Sequence, residues 1–166
     1  MKEKIQQSLK IVDNFLPADA FKEIQGIIMG NRFPWLFVPS IADKELDSDG
    51  YFVHNFFIDE MRGPSFNIVV PLLDCIDISH LIRCKTNLYV RQSIDKIYYH
   101  DYHKDLTFQH KVCMLCMNNN NGPFRHVDEK IDMIENRAIF FNAQTPHSSS
   151  TCTDAQVRVT LTVNYE

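Results

Sequence analysis

The sequence predicts a mainly β chain with N-terminal helices, closing as a barrel or jelly roll. Three observations carry this. Twelve Phe and six Tyr against five Gly favour a β-rich interior with aromatic packing. From residue 85 onward, short segments alternate apolar and polar residues between turn signals. The one clear helical period lies near the N-terminus. At 166 residues, 45% hydrophobic and 23% charged, the chain can bury a sizeable core, and we read it as one domain: a helical layer over about 16–83 and a core barrel over about 85–165.

Residues 10–15 read as a short strand. Pro17 then opens a helix with Phe21, Ile24, Ile27 and Ile28 on one face, and Gly30-Asn31 stops it. Residues 32–64 carry many aromatics around an acidic loop from Asp43 to Asp49, with strand segments and turns expected. In 65–83, Pro71 followed by Leu72, Leu73, Ile76, Leu81 and Ile82 suggests a second helix. Strands are expected at 86–91, 97–99 and 111–117. A turn-rich 118–123 follows, then short segments near 124–127 and 130–134, a turn at 135–137, and strands at 138–142 and 157–163.

Composition excludes several classes. A net charge of −4 gives no footprint for tight nucleic-acid backbone binding. No apolar run approaches the roughly 18 residues that span a membrane, and the first residues contain no apolar signal segment. Five Cys, an odd number, read as free thiols in a reducing, cytoplasmic setting. Cys113 and Cys116 fall in an apolar strand-like run. Three positions apart on a strand face opposite ways, so they read as buried thiols and not as a metal pair.

The chemistry concentrates in His103-Lys104-Asp105, His147 and Arg158. His and Asp at i and i+2 of a strand share a face, and a second His from a distant strand completes a two-His, one-carboxylate facial triad with open positions for other ligands. Arg158, eleven residues past His147, sits in a strongly β, otherwise apolar run. A charge on an inward barrel face is costly unless it meets an opposite charge, and a guanidinium fork suits a carboxylate. His-x-Asp also occurs at His126-Val127-Asp128. In a double-stranded β-helix the two ligand segments face each other across the barrel, with several strands between them. The interval from 105 to 147 has room for four short strands, whereas that from 128 to 147 has room for about two. His126 also follows a flexible Asn/Gly/Pro stretch, so the reading favours His103 and Asp105.

At these residues the chain resembles the 2-oxoglutarate/Fe(II) dioxygenase superfamily, above all its small prolyl-4-hydroxylase-like members of phages and marine bacteria. The resemblance runs through Ile-Val-Asp-Asn-Phe-Leu-Pro (11–17), Phe-Val-His-Asn-Phe (52–56), Asn-Leu-Tyr-Val-Arg (87–91) and Tyr-His-Asp-Tyr-His-Lys-Asp (99–105). It continues through Asn-Asn-Asn-Asn-Gly (118–122), Ile-Phe-Phe-Asn-Ala-Gln-Thr-Pro-His (139–147) and Arg-Val-Thr-Leu-Thr-Val-Asn-Tyr (158–165). It implies a double-stranded β-helix, Fe(II) held by His103, Asp105 and His147, and 2-oxoglutarate gripped by Arg158 with help from Thr160 and Tyr89. Asn87 shares the strand face of Tyr89 and is a further candidate for the cosubstrate. The activity implied is O2-dependent hydroxylation of an unactivated C–H, releasing succinate and CO2, on a peptide or small metabolite. Related halogenases lack the carboxylate that Asp105 supplies. Gly122-Pro123-Phe124 stands where the family often has a Gly-Gly-Thr type turn, and the longer members' substrate-binding insertions are absent. Trp35, Arg91, Tyr98, Tyr99 and His100 are candidates for the site mouth. The rival reading is a non-enzymatic jelly-roll binding or virion module without iron.

Overall fold

The computed structural model describes residues 9–39 and 50–166; the acidic loop expected at Asp43 to Asp49 lies outside them. Strand β1 (Lys10–Val12) leads into helix α1 (Ala18–Ile28). Pro17 precedes the helix, and its carbonyl accepts the Phe21 N–H at 2.9 Å. Phe21, Ile24 and Ile28 are buried at the helical spacing that puts them on one stripe. Ile27, expected on that stripe, is 41% exposed and lies at its solvent margin.

The aromatic region forms β2 (Leu36–Val38), β3 (Tyr51–Ile58) and β4 (Met61–Arg62). A 3-10 turn (Phe66–Val69) then runs into a four-residue helix, α2 (Val70–Leu73), with Pro71 in its first turn. The expected longer helix is cut short. Leu81 and Ile82 instead begin β5 (Leu81–Val90), so they extend the strand expected at 86–91. Next come β6 (Lys111–Cys116), β7 (Asn120–His126), β8 (Glu129–Met133), β9 (Ala138–Asn142), β10 (His147–Ser148) and β11 (Val157–Tyr165). One strand expectation and one turn expectation fail. Residues 97–99 contribute only an isolated bridge between Tyr99 and Ser150. Four of the six residues of the turn expected at 118–123 are in strand β7, whose register on β8 shifts between Asn120 and Phe124.

Among the described residues the strands form an eight-stranded sheet, ordered β1-β9-β6-β11-β5-β3-β2 with β4 on β3, and a three-stranded sheet, β10-β7-β8. This is a double-stranded β-helix. The central strand β11 is buried from Arg158 to Tyr165 because both its faces are covered. Val159, Leu161 and Val163 pack against Phe21, Ile24, Ile28 and Leu72 of the helical layer. Arg158, Thr160, Thr162 and Asn164 take the alternate positions and turn toward the space between the sheets, which is the period-two consequence of a pleated strand. On β6 the same alternation puts Cys113 in the helix-side core and Cys116 in the inter-sheet core with Phe124, Ile131, Met133 and Phe141. Both thiols are free, as is each Cys here, and all but Cys75 are buried.

The turn from β8 into β9 fastens the N-terminal segment to the barrel. Asn136 adopts a left-handed φ of 59°. Its side chain accepts the Leu16 N–H at 2.9 Å and donates to the Leu16 carbonyl at 2.8 Å, while its backbone binds Phe15 and Cys116. Asn136→Ala removes both side-chain bonds, leaves two Leu16 groups without partners and puts a Cβ-bearing residue without local compensation in the left-handed region. The expected loss is about 2–4 kcal/mol, read as a fall in the urea midpoint at unchanged slope.

Candidate metal centre

His103 and His147 come from segments that pair directly, exchanging His103 N–H to the His147 carbonyl (2.9 Å) and the reverse (3.0 Å). The 101–105 segment is extended but lies in no named strand. Asp105 N–H is tied to the Ala143 carbonyl at 3.0 Å, and the next residue, Leu106, takes a positive φ of 54° that swings the chain away. His103, Asp105 and His147 thereby place one ligand atom each within 4.8 Å of one another. The Nε2 atoms of both histidines stand 3.9 Å from Asp105 Oδ1.

Two of the three are prepared by their surroundings, while His103 Nδ1 is buried without a partner among the described residues. His147 Nδ1 lies 2.8 Å from the Thr145 carbonyl, which only accepts, so Nδ1 carries the proton and Nε2 presents its lone pair. Burial, opposed by Asp105, pushes the His147 pKa down to about 4, so the ring is neutral near pH 7. For Asp105, burial raises the pKa, but His147, Arg83, Asn164 and Lys85 together outweigh it and hold the carboxyl below its usual range. The alternative motif is not assembled. His126 is the β-ladder neighbour of His147, buried beside Phe124 and Phe141, and Asp128 joins no metal-ligand group among the described residues.

Asn164, which the sequence reading passed over, locks Asp105. Arg83 Nε donates to its Oδ1 at 3.1 Å, which fixes the amide's orientation. Its Nδ2 then donates to Asp105 Oδ2 at 3.0 Å and to His110 Nε2 at 2.9 Å. His110 Nδ1 binds the Phe108 carbonyl, so Nε2 is free to accept. The signal was present: Asn164 continues the even-numbered face of Arg158, Thr160 and Thr162. Arg83 and Lys85 likewise continue the face of Asn87 and Tyr89, and were passed over in the same way.

These faces meet in one cavity of about 640 Å3. The β5–β11 ladder sets its rungs: Tyr89 opposite Arg158, Asn87 opposite Thr160, Lys85 opposite Thr162, Arg83 opposite Asn164. Met114, Phe124 and Phe141 form an apolar wall near His147. Arg158 is fully buried. Its Nε donates to the Gly122 carbonyl at 3.0 Å and one terminal nitrogen to Met133 Sδ at 3.4 Å, while the other terminal nitrogen has no partner. Among the described residues no carboxylate pairs with it. Tyr89 lies beneath the guanidinium, 5.7 Å from ring centroid to Cζ, and stacks on Tyr51. Asn87 Oδ1 is buried without a partner as well. Gly122 is required here, because a Cβ would collide with the Thr151 carbonyl and press on the Arg158 side chain.

The expected mouth residues are placed elsewhere. Trp35 packs on Phe33 at the helical core. Arg91 lies beyond the Tyr89 rung, bound to Gln156 and Thr153. Tyr98 is half exposed under Lys96. Tyr99 packs on Arg125 and Lys130. His100 touches the cavity indirectly, through Tyr89 and Ser149.

In sequence, no family model matches this chain and no curated protein is similar to it. Its fold is shared with solved structures. A prolyl hydroxylase from Trichoplax adhaerens, in complex with a hypoxia inducible factor oxygen degradation domain peptide, is 16% identical with a TM-score of 0.71, over 95% of this chain and 82% of that one. A Pseudomonas putida prolyl-4-hydroxylase is 14% identical with a TM-score of 0.68, over 97% and 93%. HygX from Streptomyces hygroscopicus, with nickel, 2-oxoglutarate and hygromycin B bound, is 8% identical with a TM-score of 0.63, over 96% and 82%. Among the described residues no helix is long and apolar enough to cross a membrane.

Replacing Asn164 with Leu keeps its approximate volume but strips two hydrogen bonds from the Asp105–Arg83 pair. Loss of such an outer partner typically costs about 10–100-fold in metal affinity. Calorimetric titration with Mn(II) should show that drop, with the far-ultraviolet dichroism of the metal-free protein unchanged. An unaltered affinity would mean that Asn164 does not position Asp105.

Proposed function

We propose that this protein is a Fe(II)- and 2-oxoglutarate-dependent dioxygenase that hydroxylates an unactivated C–H bond of a peptide or small metabolite, releasing succinate and CO2. One observation carries the reading: a fully buried guanidinium, with an unpartnered N–H and no described counter-ion, shares a cavity with a preassembled His/His/carboxylate cluster. Burying an unpaired charge costs several kcal/mol, and a dicarboxylate anchored at the cluster would repay that cost.

The donor set fits Fe(II). Imidazole nitrogens and one carboxylate in a facial arrangement suit non-heme iron and leave positions open. His103, Asp105 and His147 would hold the ion, and 2-oxoglutarate would place its far carboxylate on Arg158. When bound, the iron supplies activation of O2 coupled to oxidative decarboxylation of the cosubstrate. The chain's own residues supply the rest. The Thr145 carbonyl keeps the His147 tautomer that ligates, and Asn164 with Arg83 keeps Asp105 ionised and aimed. Arg158 orients the cosubstrate from one end, with the Thr160 and Tyr89 side chains beside it and Asn87 offering a buried acceptor. Phe124 and Phe141, with Met114, supply the apolar wall near His147. A binding module without iron has no need of three converging ligands or of an unpaired buried Arg, which is why that reading is set aside.

Aerobic incubation with Fe(II) and 2-oxoglutarate should yield succinate that depends on both, and His103→Ala or His147→Ala should abolish it. Arg158→Ala should keep iron binding. It should weaken 2-oxoglutarate binding by about 2–5 kcal/mol, or roughly 30-fold to several-thousand-fold, followed anaerobically by the absorption of the metal–cosubstrate complex. Absence of 2-oxoglutarate binding to the wild-type Fe(II) protein would overturn the reading.

A further inference from the structure

We propose that Gln144 is a positioning residue of the metal centre, whose side chain holds the backbone that carries Asp105. The proposal rests on the metal-binding part of the reading above and is independent of the cosubstrate.

Asp105 stands where regular pairing ends. Upstream, His103 is fixed by its bridge to His147. Downstream, residues 106–110 lie in no strand before β6 begins at Lys111, and Leu106 turns the chain at a left-handed φ. One residue closes the base of this excursion. The Ala143 carbonyl accepts the Asp105 N–H, and the Ala143 N–H donates to the His110 carbonyl, each at 3.0 Å. Gln144, next in the chain, fills the inside. Its Nε2 lies 3.1 Å from the Asp105 carbonyl, 3.1 Å from that of Leu106 and 3.0 Å from that of Phe108. Carbonyl oxygens only accept, so three of them fix which end of the amide is nitrogen, and its two hydrogens are shared among them. The Gln144 backbone is held in turn, its N–H donating to Asn142 Oδ1 at 2.8 Å.

This clasp acts on Asp105 in a way that Asn164 does not. Asn164 bonds the carboxylate itself, at Oδ2, whereas Gln144 bonds the backbone beneath it. A ligand has to be held within about 0.5 Å of its place to complete a site. With the amide removed, water can satisfy the Leu106 and Phe108 carbonyls, whose bonds to Gln144 are exposed, so the fold loses little. Water does not tie that backbone to the 142–146 turn, and the aim of Asp105 is what is lost. The same turn serves His147 through its next residue, since the Thr145 carbonyl accepts from His147 Nδ1. Two adjacent residues thus set two of the three candidate ligands, one through its side chain and one through its backbone.

The test uses the full-length protein without cosubstrate. Gln144→Leu and Gln144→Met keep a side chain of similar size, remove both donors and leave the charge near the site unchanged. Mn(II) affinity, measured by calorimetric titration, should fall about ten-fold or more in each. In the metal-free variants, amide exchange at Asp105 should quicken while exchange in β11 stays as in wild type, which is the mark of a local release. Asn136→Ala controls for general destabilisation, because the Asn136 bonds reach only Leu16, Phe15 and Cys116. It should keep wild-type Mn(II) affinity. Wild-type affinity in both Gln144 variants, a loss in Asn136→Ala as large as theirs, or exchange that quickens equally at Asp105 and in β11 would overturn the proposal. If the wild-type protein binds no Mn(II), the metal centre falls and the role of Gln144 with it. If it binds Mn(II) but not 2-oxoglutarate, the oxygenase reading falls while the role of Gln144 stands or falls on its own variants.

Discussion

The whole site is organised around a positive charge that the fold buries and that no described residue neutralises. Arg158 occupies the inward face of the central strand, and what it meets there is a carbonyl, a thioether and an aromatic face. None of these is an anion. The guanidinium is kept charged by its very high intrinsic pKa, although burial lowers that value. The cost is met by β11, whose opposite face is sealed against the helical layer and whose ladder to β5 leaves the strand no freedom to turn the side chain out. Under the proposed function, a residue so constrained is a binding device whose ligand brings the negative charge.

The same two strands serve as a ruler. Pairing β5 with β11 in register sets four rungs from Arg158 to Asn164, and the rungs differ in what they provide. In turn they supply a buried charge, hydrogen-bonding groups, a second cation and the lock on Asp105. The candidate metal ligands come from elsewhere, from an extended segment at 103–105 and the short β10. Their alignment depends on two backbone hydrogen bonds between His103 and His147 and on the Asn164 amide. Rigidity in the large sheet thus fixes a cluster whose own segments have little regular structure.

Much of this could be read in the sequence, and the limits have physical causes. The alternation in 157–163 is visible because one face of β11 is aliphatic and the other polar, and the triad stands out because its residue types are chemically specific. Asn164, Lys85 and Arg83 went unnoticed although they obey the same alternation, since a polar residue on a strand end looks like solvent-facing surface until the partner sheet is in place. The helix expected through Leu81 and Ile82 failed because an apolar run of that length fits helix and strand equally. The turn expected at 118–123 is in part a strand because Gly122 serves close approach to Thr151 and Arg158, and not chain reversal. The mouth residues were misplaced because aromatic side chains such as Tyr99 and Trp35 can be satisfied by a neighbouring cation or ring, which a sequence does not reveal.

The most direct measurement compares two 2-oxo acids on the unmodified protein. Anaerobic Fe(II) protein is titrated with 2-oxoglutarate and with 2-oxobutyrate, which keeps the oxo acid end but lacks the far carboxylate. If the buried charge of Arg158 exists to receive that carboxylate, 2-oxoglutarate binds more tightly by at least about 2 kcal/mol, or roughly 30-fold. Equal affinities would contradict the account at its centre.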